Sequence, residues 1–512
     1  MTLRPGAAHC PREIELKFHL PKGSRAIIQK YPQVAAAAAA RCQLVSTYFD
    51  TPDRALDRYG LTLRVRQDGA IRTQTVKSRS DGLGIAANRG EWAWPIDQDV
   101  PDVEWLSKTK PLTTVAHSIR GQLEPVFNTN VRRTTRILHL GEGTIVELAF
   151  DEGRIEAGSA SEAISEMELE LKSGDVGPLY QFAAALQSIA PIWLMSESKA
   201  ARGWHLRTGA YEGAKFAQAP NFKRKVSAAE GFRQLLGGVL GHLTSNIGPT
   251  LHGDPEGLHQ SRIAIREARA LLRLFEPYLD SITAQPFNAA LRSIARVFGA
   301  ARDWDVFCLE TLPAAKPELS GDRLEDLNAA AEVERQLAHE GVGQTLRGRE
   351  YSRLVLDLVV WAQGNAIVTS RDCNDLMRHR LSALAPSLLH RSASRVERRG
   401  RHIGRLSVVK RHSLRKSLKK LSFDAEILAC FFGAKGVKNY LRCSEALAKA
   451  LGAANDAGVT ARLTRILCNG SRPELLEPAR VLERWNKVRK HKALNDLKPA
   501  MRDFRSAPEF WT

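Results

Sequence analysis

Hydrophobic and polar residues alternate along several short segments in the first two hundred residues of the chain. The segments are Glu13–Phe18, Leu61–Arg66, Thr73–Lys77, Thr144–Asp151 and Ser165–Lys172. Successive side chains of a strand point to opposite faces of a sheet, so a period of two predicts half-buried strands. We therefore expect a β-rich domain in this part of the chain.

The part of the chain after these segments shows a helical period. Stretches rich in Leu, Ala, Arg and Glu, such as Gly257–Leu279 and Ser413–Leu428, repeat their apolar residues every three to four positions, as amphipathic helices do. Between the two patterns, Thr208–Asn221 contains glycine and proline but few large apolar residues, which predicts a linker. The expected organisation is an N-terminal domain over residues 1–207, a linker over 208–221 and a helical domain over 222–512.

The charge of the chain divides at the same place. The chain carries 75 Lys+Arg and 56 Asp+Glu, a formal net charge of +19. Residues 1–220 hold 27 basic and 25 acidic residues (+2), and residues 221–512 hold 48 and 31 (+17). A surplus of this size predicts an anionic partner for the second part, and nucleic acid, a membrane surface and polyphosphate all meet that description.

The composition also indicates in which cellular compartment the protein resides. The chain has no run of ~18 apolar residues, and Met1–Cys10 lacks the apolar stretch of a signal peptide, so we expect neither a membrane span nor secretion. The seven cysteines form no CxxC pair, which argues against a disulfide scaffold or a zinc ribbon and favours a reducing cytoplasm. They are Cys10, Cys42, Cys308, Cys373, Cys430, Cys443 and Cys468.

Charged side chains line one face of several predicted strands. Glu13, Glu15 and Lys17 share a strand face, and Ser165–Lys172 repeats the spacing with three glutamates and a lysine. Acids in a row repel one another unless cations offset them, so we favour a closed antiparallel barrel with a charged interior over a solvated charged face. In such an interior, carboxylates would bind hard divalent cations, and Arg and Lys would bind phosphate oxygens.

These segments resemble the CYTH domain, the family of triphosphate tunnel metalloenzymes. Glu13–Lys17 is similar to the ExExK signature of that family. The other matching segments follow in the family's order: Tyr48–Pro52, Leu61–Arg66, the strand that ends at Lys77, Arg89–Glu91, Asp151–Gly153, Ser165–Gly174 and Ser198–Lys199. The resemblance covers Arg12 to Leu206 and implies an eight-stranded antiparallel β-tunnel.

The same resemblance implies hydrolysis of a triphosphate with Mg²⁺ or Mn²⁺. The implied metal ligands are Glu13, Glu15, Asp151 and two of Glu166, Glu168 and Glu170. The implied phosphate-binding cations are Lys17, Arg64, Arg66, Lys77, Arg89 and Lys199, with Arg133 or Arg136 adding another. Glu91 and Glu147 would face inward and orient cations or water. Which arginine of Arg132–Arg136 points inward is left open at this stage.

The expected reaction is the conversion of inorganic triphosphate to pyrophosphate and phosphate. The chain has no GxxxxGK[ST] motif and no evident nucleobase pocket, which favours an inorganic substrate. The family likeness also extends to enzymes that act on thiamine triphosphate and to adenylate cyclases that act on ATP. The alternative to an enzyme is a non-catalytic protein that binds polyphosphate or nucleic acid.

A basic stripe appears twice in the second part of the chain. His259, Arg262, Arg266, Arg269 and Arg273 are spaced 3, 4, 3 and 4, which places them along one face of a helix. The pattern recurs 153 residues later, where the basic residues are His412, Arg415, Lys416 and Lys419. Gly299–Val306 and Gly452–Val459 are similar and keep the same offset. A constant offset between two similar elements predicts a duplicated helical unit.

This second part resembles the CHAD domain from about Lys223 to Lys492. The resemblance implies an all-α domain of two pseudo-symmetric four-helix bundles with a basic groove that binds inorganic polyphosphate, through the residues of both stripes. We expect a cytoplasmic protein, and the sequence leaves open whether the second part recruits it to polyphosphate granules, feeds substrate to the barrel or regulates it. The segments show no aromatic residues interleaved with the basic ones, which disfavours nucleic acid as the partner.

Overall fold

The computed structural model describes residues 12–512 except 80–83, 110–111, 120–121, 142, 221, 224, 319–320, 364–377 and 469–472. Met1–Cys10 and Cys373 lie outside the described residues. The chain forms two compact units. The first, here called the barrel unit, comprises Met1–Phe216, Leu240–Gly257 and Leu346–Val360. The second, the helical unit, comprises Ala217–Val239, Leu258–Thr345 and Trp361–Thr512.

The strands of the barrel unit close into an antiparallel barrel, as predicted. They are β1 Arg12–His19, β2 Ala39–Asp50, β3 Leu61–Asp68, β4 Ile71–Ser78, β5 Ala87–Pro95, β6 Glu124–His139, β7 Ile145–Ala157, β8 Ala160–Ser173 and β9 Trp193–Leu194. Their order is β5-β4-β3-β2-β6-β7-β8-β1-β9, and a further pairing of β5 with β1 closes the first eight strands on themselves. The two-residue strand β9 adds to β1 outside this ring.

Seven helices accompany the strands within the described part of the first 216 residues. They are α1 Ser24–Gln29, α2 Pro32–Ala36, α3 Ala55–Arg58, α4 Val103–Lys108, α5 Thr113–Ser118, α6 Val176–Ile189 and α7 Lys199–Thr208. The outward side chains of β2, β3 and β4 pack under α4 and α5, in a core that includes Phe49, Leu63 and Val76. The outer apolar face therefore stabilises the barrel and leaves its inner face for charged residues.

Helix α7 packs against an apolar cluster on the inner face of the barrel. Leu44, Tyr48, Phe127 and Ile155 form this cluster together with Ala200 of α7. The register places Tyr48 opposite Arg64, so the apolar cluster and the charged side chains share the inner face. A Cβ at Gly203 would lie 2.3 Å from the Phe127 ring, so only glycine allows this close approach of α7.

The rest of the described chain is helical, as predicted for the second domain. The helices are α8 Ala228–Ser245, α9 Ile247–Leu251, α10 Pro255–Leu274, α11 Ser281–Val306, α12 Leu312–Ala315, α13 Gly321–Arg347, α14 Arg349–Gln363, α15 Leu381–Gly400, α16 Val408–Leu428, α17 Ala434–Leu467 and α18 Leu476–Ser506. Helix α16 packs on α15 and α17, and α17 packs on α18. A short π-helical stretch, Phe307–Thr311, follows α11.

Residues from both sequence copies share one core in the helical unit. Trp304, which lies in the first copy, and Phe307, which follows it, pack with Leu463 and Leu482 from the region of the second. None of the described helices is both long enough and apolar enough to cross a membrane. The five described cysteines are free: Cys42, Cys308, Cys430, Cys443 and Cys468.

The predicted linker does not extend freely from the barrel unit. Apart from Thr208, the last residue of α7, its described residues form no helix or strand, but several of its backbone groups are hydrogen-bonded. Asn246 accepts a hydrogen bond from Lys215 N (2.9 Å) and donates one to Lys215 O (2.9 Å). Asp254 accepts another from Ala214 N. This part of the segment is therefore anchored to the barrel unit.

Candidate functional site

The inner face of the barrel brings together charged side chains from seven strands and from α7. Period-two alternation places them there, because every second residue of each strand faces the interior. The acids are Glu13, Glu15, Glu91, Glu147, Asp151, Glu166, Glu168 and Glu170, and the bases are Lys17, Arg64, Arg66, Lys77, Arg89, Arg133, Lys172 and Lys199. The set thus comprises eight acids and eight cations.

Three of these carboxylates form one buried cluster, which we call the acid cluster: Asp151, Glu166 and Glu168. Each offers an oxygen within 4.8 Å of the others. The strand register explains the meeting, because Asp151 of β7 lies directly opposite Glu166 of β8. Both carboxylate oxygens of Glu166 are buried, and among the described residues their polar contacts are ion pairs, with Lys199 (3.0 Å) and with Lys17 and Arg202 (3.6 Å each).

Lys199 lies at the centre of the acid cluster. Its Nζ is 2.7 Å from Asp151 Oδ2, 3.0 Å from Glu166 Oε1 and 2.7 Å from Glu168 Oε1. Burial lowers the pKa of the ammonium group, but the three carboxylates outweigh burial and raise the Lys199 pKa above its usual value. The residue begins α7, and Ser198 caps that helix by accepting a hydrogen bond from Ala201 N.

Lys17 and Arg133 complete the cation shell of the acid cluster. Lys17 Nζ lies 3.0 Å from Glu168 Oε1, and Arg133 Nε donates to Asp151 Oδ1 at 2.7 Å. Arg133 also pairs with Glu168. Burial alone would raise the pKa of Glu168, but Lys17, Lys199 and Arg133 hold it well below its usual range. The neighbouring cations therefore keep Asp151 and Glu168 ionised.

A second group of charges lies between β1, β4 and β5. Lys77 Nζ is 2.7 Å from Glu13 Oε1, and Arg89 donates to Glu13 (2.7 Å) and to Glu15 (2.9 Å). Burial raises the pKa of Glu13, but Lys77 and Arg89 outweigh it and lower that pKa to about 2. Burial and the neighbouring Glu168 raise the pKa of Glu15. Glu91 lies 3.2 Å from Lys77 Nζ.

Arg64 and Arg66 have fewer acidic neighbours than the other inner cations. The nearest carboxylate oxygen to Arg64 is that of Glu91, 4.0 Å from its guanidinium, and Arg66 Nε lies 3.4 Å from Ser46 Oγ. Burial, together with Arg64 and Arg133, lowers the pKa of Arg66 to about 10. Two adjacent, weakly paired guanidinium groups form an environment that favours an anion.

Glu147 and Glu170 lie apart from the acid cluster. Lys172 Nζ is 2.7 Å from Glu170 Oε1 and 3.9 Å from Glu147 Oε2. Burial raises the pKa of Glu170. Of the three glutamates of β8 that were candidate metal ligands, the structure thus brings Glu166 and Glu168 to Asp151 and pairs Glu170 with a lysine.

The register also separates the arginines of β6. Arg133 faces the interior, whereas Arg136, three residues later, is on the opposite face and donates to the carbonyl oxygens of Val34 and Ala37. Arg132 pairs with Glu152 on that outer face. The structure does not bring Arg136 to the inner charges, because an odd spacing along a strand changes the face.

One further side chain of this site was missed by the sequence analysis. Arg202 of α7 donates to Glu162 (2.8 Å) and lies 3.6 Å from Glu166. Its position three residues after Lys199, on the same helix face, was the available signal. Lys172, which the strand period placed on the charged face of β8, was given no role in the sequence analysis.

The basic stripes of the two copies approach each other in the helical unit. The pKa of Lys419 is lowered to about 8, mainly by burial and next by the nearby charges of Arg415, Arg266 and Arg262. The pKa of Lys420 is also lowered to about 8, mainly by burial and next by Arg273, Arg269 and Arg395. Since Lys419 and Lys420 are on α16 and four of these arginines are on α10, the two helices present their cations to a common region.

Acidic and amide side chains at this region act as local partners of the stripes. Arg462 donates to Asp303 Oδ2 at 2.8 Å, Arg415 lies 3.9 Å from Asp456, and His412 Nδ1 lies 2.8 Å from Asn455 Oδ1. Arg269 Nε donates to Asn288 at 3.0 Å. The pKa of Lys416 is lowered, mainly by burial and next by the charges of Arg269 and Arg292. Positive charge at this surface therefore exceeds its local compensation. Lys420 and Arg292 were missed by the stripe pattern, which did not include them.

Comparison with known proteins supports both sequence resemblances. The CYTH domain model matches residues 11–204, and the CHAD domain model matches residues 234–465. The N-terminal part is 33% identical over 197 residues to an inorganic triphosphatase of Haemophilus influenzae, a match that covers 38% of this chain and 55% of that protein. The chain thus spans about half the length of this curated relative.

Solved structures resemble each part separately. The crystal structure of the CHAD domain from the plant Ricinus communis matches with a TM-score of 0.51 and 23% identity, over 58% of this chain and 99% of that one. It supports the fold of the helical part. A Hippeastrum protein, described as a putative adenylyl cyclase with a dominant triphosphatase activity, matches 38% of this chain and 96% of its own, with 21% identity and a TM-score of 0.30.

Proposed function

The chain joins a CYTH domain to a CHAD domain, and from this premise we propose that the barrel hydrolyses inorganic triphosphate with a divalent metal ion. The observation that carries the proposal is the acid cluster, Asp151, Glu166 and Glu168, enclosed with Lys17, Arg133 and Lys199 on the inner face of a closed barrel. Carboxylates for a metal ion and cations for phosphate oxygens are thereby held within one interior.

The charge balance of the barrel interior argues for a metal ion. The inner set of eight acids and eight cations is neutral overall, so it does not by itself neutralise a highly charged triphosphate. A divalent cation bound with the substrate would supply the missing positive charge. Phosphoryl transfer depends mainly on positioning and on stabilisation of charge, which is what such an interior provides.

The donor set of the acid cluster fits Mg²⁺ or Mn²⁺. These hard cations take oxygen ligands, and in the described part of the chain the polar contacts of the two buried Glu166 oxygens are only with protein cations, Lys199 at 3.0 Å and Lys17 and Arg202 at 3.6 Å, which a metal ion could replace. Asp151, Glu166 and Glu168 would hold the ion, and we propose that Glu13 and Glu15 contribute from β1. When bound, the metal ion would neutralise phosphate oxygens and lower the pKa of a water molecule.

The remaining inner residues would bind and orient the substrate. Arg64 and Arg66, whose guanidinium groups have few acidic partners, would bind phosphate oxygens, and Lys17, Lys77, Arg89, Arg133 and Lys199 would exchange carboxylate partners for phosphate. Glu91, next to Lys77, and Glu147 would orient cations or water. The apolar contacts of α7 with the inner cluster would exclude bulk water from this part of the interior.

A substrate panel tests the proposal. Tripolyphosphate, ATP and thiamine triphosphate are supplied at equal concentration with Mg²⁺ or Mn²⁺, and phosphate, pyrophosphate and cyclic AMP are measured. We expect the highest kcat/KM with tripolyphosphate, and pyrophosphate with phosphate as products. Dominant formation of cyclic AMP from ATP, or preference for thiamine triphosphate, would assign another reaction of the same family to the barrel.

For the helical unit we propose binding of inorganic polyphosphate. The supporting observation is the convergence of the stripes on α10 and α16, where cations depress each other's proton affinity. A linear polyanion would relieve this repulsion along the whole region. Such binding would bring the protein to polyphosphate granules in the cytoplasm.

Competition distinguishes polyphosphate from nucleic acid. Long-chain polyphosphate is bound to the full chain, and single-stranded DNA or RNA is added at equal phosphate concentration and fixed salt. We expect polyphosphate to remain bound. Displacement by nucleic acid at equal phosphate would contradict specific polyphosphate binding.

A further inference from the structure

The segment that leads into Lys199 is held by residues far away in the chain. Trp193–Leu194, the strand β9, pairs with Phe18 and His19 at the end of β1, and Met195 N donates to Lys17 O at 2.9 Å. Four residues later the chain reaches Lys199 at the start of α7. The position of the Lys199 ammonium therefore depends on how this short connection is fixed.

Ser352 of α14 fixes the beginning of the connection. The Leu194 backbone N–H donates to Ser352 Oγ at 2.9 Å, and both residues are buried. Leu194 pairs with Phe18 on one side and uses this N–H on the other. Without the hydroxyl group, a buried N–H would lose its partner.

Helix α9 and His252 fix the end of the connection. Gly248 N donates to Ser196 Oγ at 3.2 Å, and His252 Nε2 lies 2.9 Å from Glu197 Oε1. A Cβ at Gly248 would lie 2.7 Å from the side chain of Glu197, so this side chain lies directly against the backbone of α9.

The same histidine also reaches the far end of α7. The Tyr211 ring stacks between His252 and His205 of α7, with ring centroids 3.4 Å apart on each side. Contacts before the first residue of α7 and near its last turn therefore converge on the segment Leu240–Gly257, which belongs to the barrel unit. The orientation of α7 is fixed at both ends.

We infer that Ser352 and His252 are positioning residues for Lys199, so that segments from beyond the strands determine the geometry of the triphosphate site. The inference rests on the proposed function of the barrel. Ser352 holds the connection at β9, and His252 holds it at Glu197 and through the Tyr211 stack. Neither residue touches the acid cluster, and both act through the placement of α7.

A double-mutant cycle in the full chain tests this coupling. Ser352→Ala, Lys199→Met and the combined variant are compared with the unmodified chain by kcat/KM for tripolyphosphate. We expect Ser352→Ala to lower kcat/KM by about tenfold, since small misplacements of a catalytic cation have effects of this order or larger. In the Lys199→Met background, the same substitution changes kcat/KM less than about twofold, because the group that Ser352 positions is gone. Ser352→Thr, which keeps a hydroxyl group, restores most of the activity.

Controls separate positioning from general destabilisation. Ser444→Ala removes an equally buried hydroxyl group of the helical unit whose Oγ has no partner, and it leaves kcat/KM unchanged. His252→Leu provides the second test if Ser352→Ala does not fold. An equal loss from Ser352→Ala or His252→Leu with and without Lys199 would show a merely structural role and overturn the inference.

A binding measurement keeps the inference separate from the proposed reaction. If the unmodified chain releases no phosphate from tripolyphosphate, the proposed reaction fails. The cycle is then read on the calorimetric Kd for tripolyphosphate. Coupling between Ser352 and Lys199 in that Kd supports the positioning role, and independent effects of the two substitutions contradict it.

Discussion

The ammonium nitrogen of Lys199 lies 2.7 Å from Asp151 Oδ2 in the interior of the barrel, with both side chains almost fully buried. Burial opposes both charges, yet the carboxylates raise the pKa of Lys199, and Lys199 with Arg133 lowers that of Asp151. The pair stays ionised at neutral pH because each partner compensates the desolvation of the other. This ion pair links helix α7 to the acid cluster.

Replacing Lys199 by methionine is expected to destabilise the metal-free protein. The substitution leaves Asp151 and Glu166 with less compensation, and breaking a buried pair costs about 3–5 kcal/mol in the free energy of unfolding. Added Mn²⁺ restores more stability to Lys199→Met than to the unmodified chain, since the carboxylates then bind the metal without a competing ammonium group. Denaturant unfolding with and without Mn²⁺ measures both effects.

Lys215→Met is the matched control for that substitution. Lys215 pairs with Glu212 on the surface, and both side chains are more than one-third exposed. Exposed pairs contribute about 0–1 kcal/mol, so this variant unfolds almost as the unmodified chain does. An equal loss of stability in the two variants would contradict the assigned difference between buried and exposed pairs.

Glu166 and Glu170 provide a direct comparison of two acids on one strand face. We expect Glu166→Gln to weaken Mn²⁺ binding at least about tenfold, because it removes a carboxylate of the acid cluster. Glu170→Gln changes the affinity by less than about twofold, since Glu170 pairs with Lys172. Titration calorimetry with Mn²⁺ measures the difference, and the reverse ranking would show that the metal ion binds nearer to Glu170.

Arg133 faces the interior of the barrel and Arg136 faces outward, so substitutions of the two test whether the inner arginine acts on the substrate. Arg133→Ala is expected to raise KM for tripolyphosphate and lower kcat, because its guanidinium faces the acid cluster. Arg136→Ala leaves kcat within about twofold and affects mainly stability, because its donors satisfy backbone carbonyls next to α2. Steady-state kinetics of the two variants decide the assignment. Equal losses of activity would contradict it.

Strand periodicity predicts the barrel and most of its inner face from sequence. Periodicity marked five of the strands, the count of eight was implied by the resemblance to the CYTH domain, and an antiparallel register brings Asp151 opposite Glu166. Periodicity alone did not decide which arginines of Arg132–Arg136 face the barrel interior. That depends on the register of β6 against β2 and β7.

Long-range contacts were beyond the reach of local patterns. Ser352 lies 158 residues from Leu194 along the chain, and nothing in the sequence near either residue indicates their hydrogen bond. In the helical unit the repeat predicted two similar stripes, but not that they approach one another. That follows from helix packing, which places Lys419 of the second copy near Arg262 and Arg266 of the first.

Polyphosphate affinity is expected to depend on pH through Lys419 and Lys420. Each has a pKa lowered to about 8, so each is charged below pH 8 and loses its charge above it. Affinity for a polyanion therefore falls between pH 7 and pH 9 instead of above pH 10. Binding titrations at fixed ionic strength measure this dependence. The Lys419→Arg/Lys420→Arg variant, which stays charged, shows a flatter profile, and equal profiles would contradict the assignment.

The same pKa values give the sign of a stability change. Between pH 8 and the usual lysine pKa, the unfolded chain binds more protons than the folded one at these two positions. Their contribution to the free energy of unfolding therefore rises as pH increases across this range. Denaturant unfolding of the Lys419→Arg/Lys420→Arg variant, which cannot lose these protons, lacks this rise.

Phosphate release from tripolyphosphate, measured with Mg²⁺ or Mn²⁺ and again with excess chelator, tests the central claim most directly. The account predicts turnover by the unmodified chain with metal ion, none with chelator, and a loss of at least about a hundredfold in Glu13→Gln/Glu15→Gln, whose polyphosphate binding stays intact. Turnover that persists in the chelator, or in the double variant, would contradict a metal-dependent reaction inside the barrel.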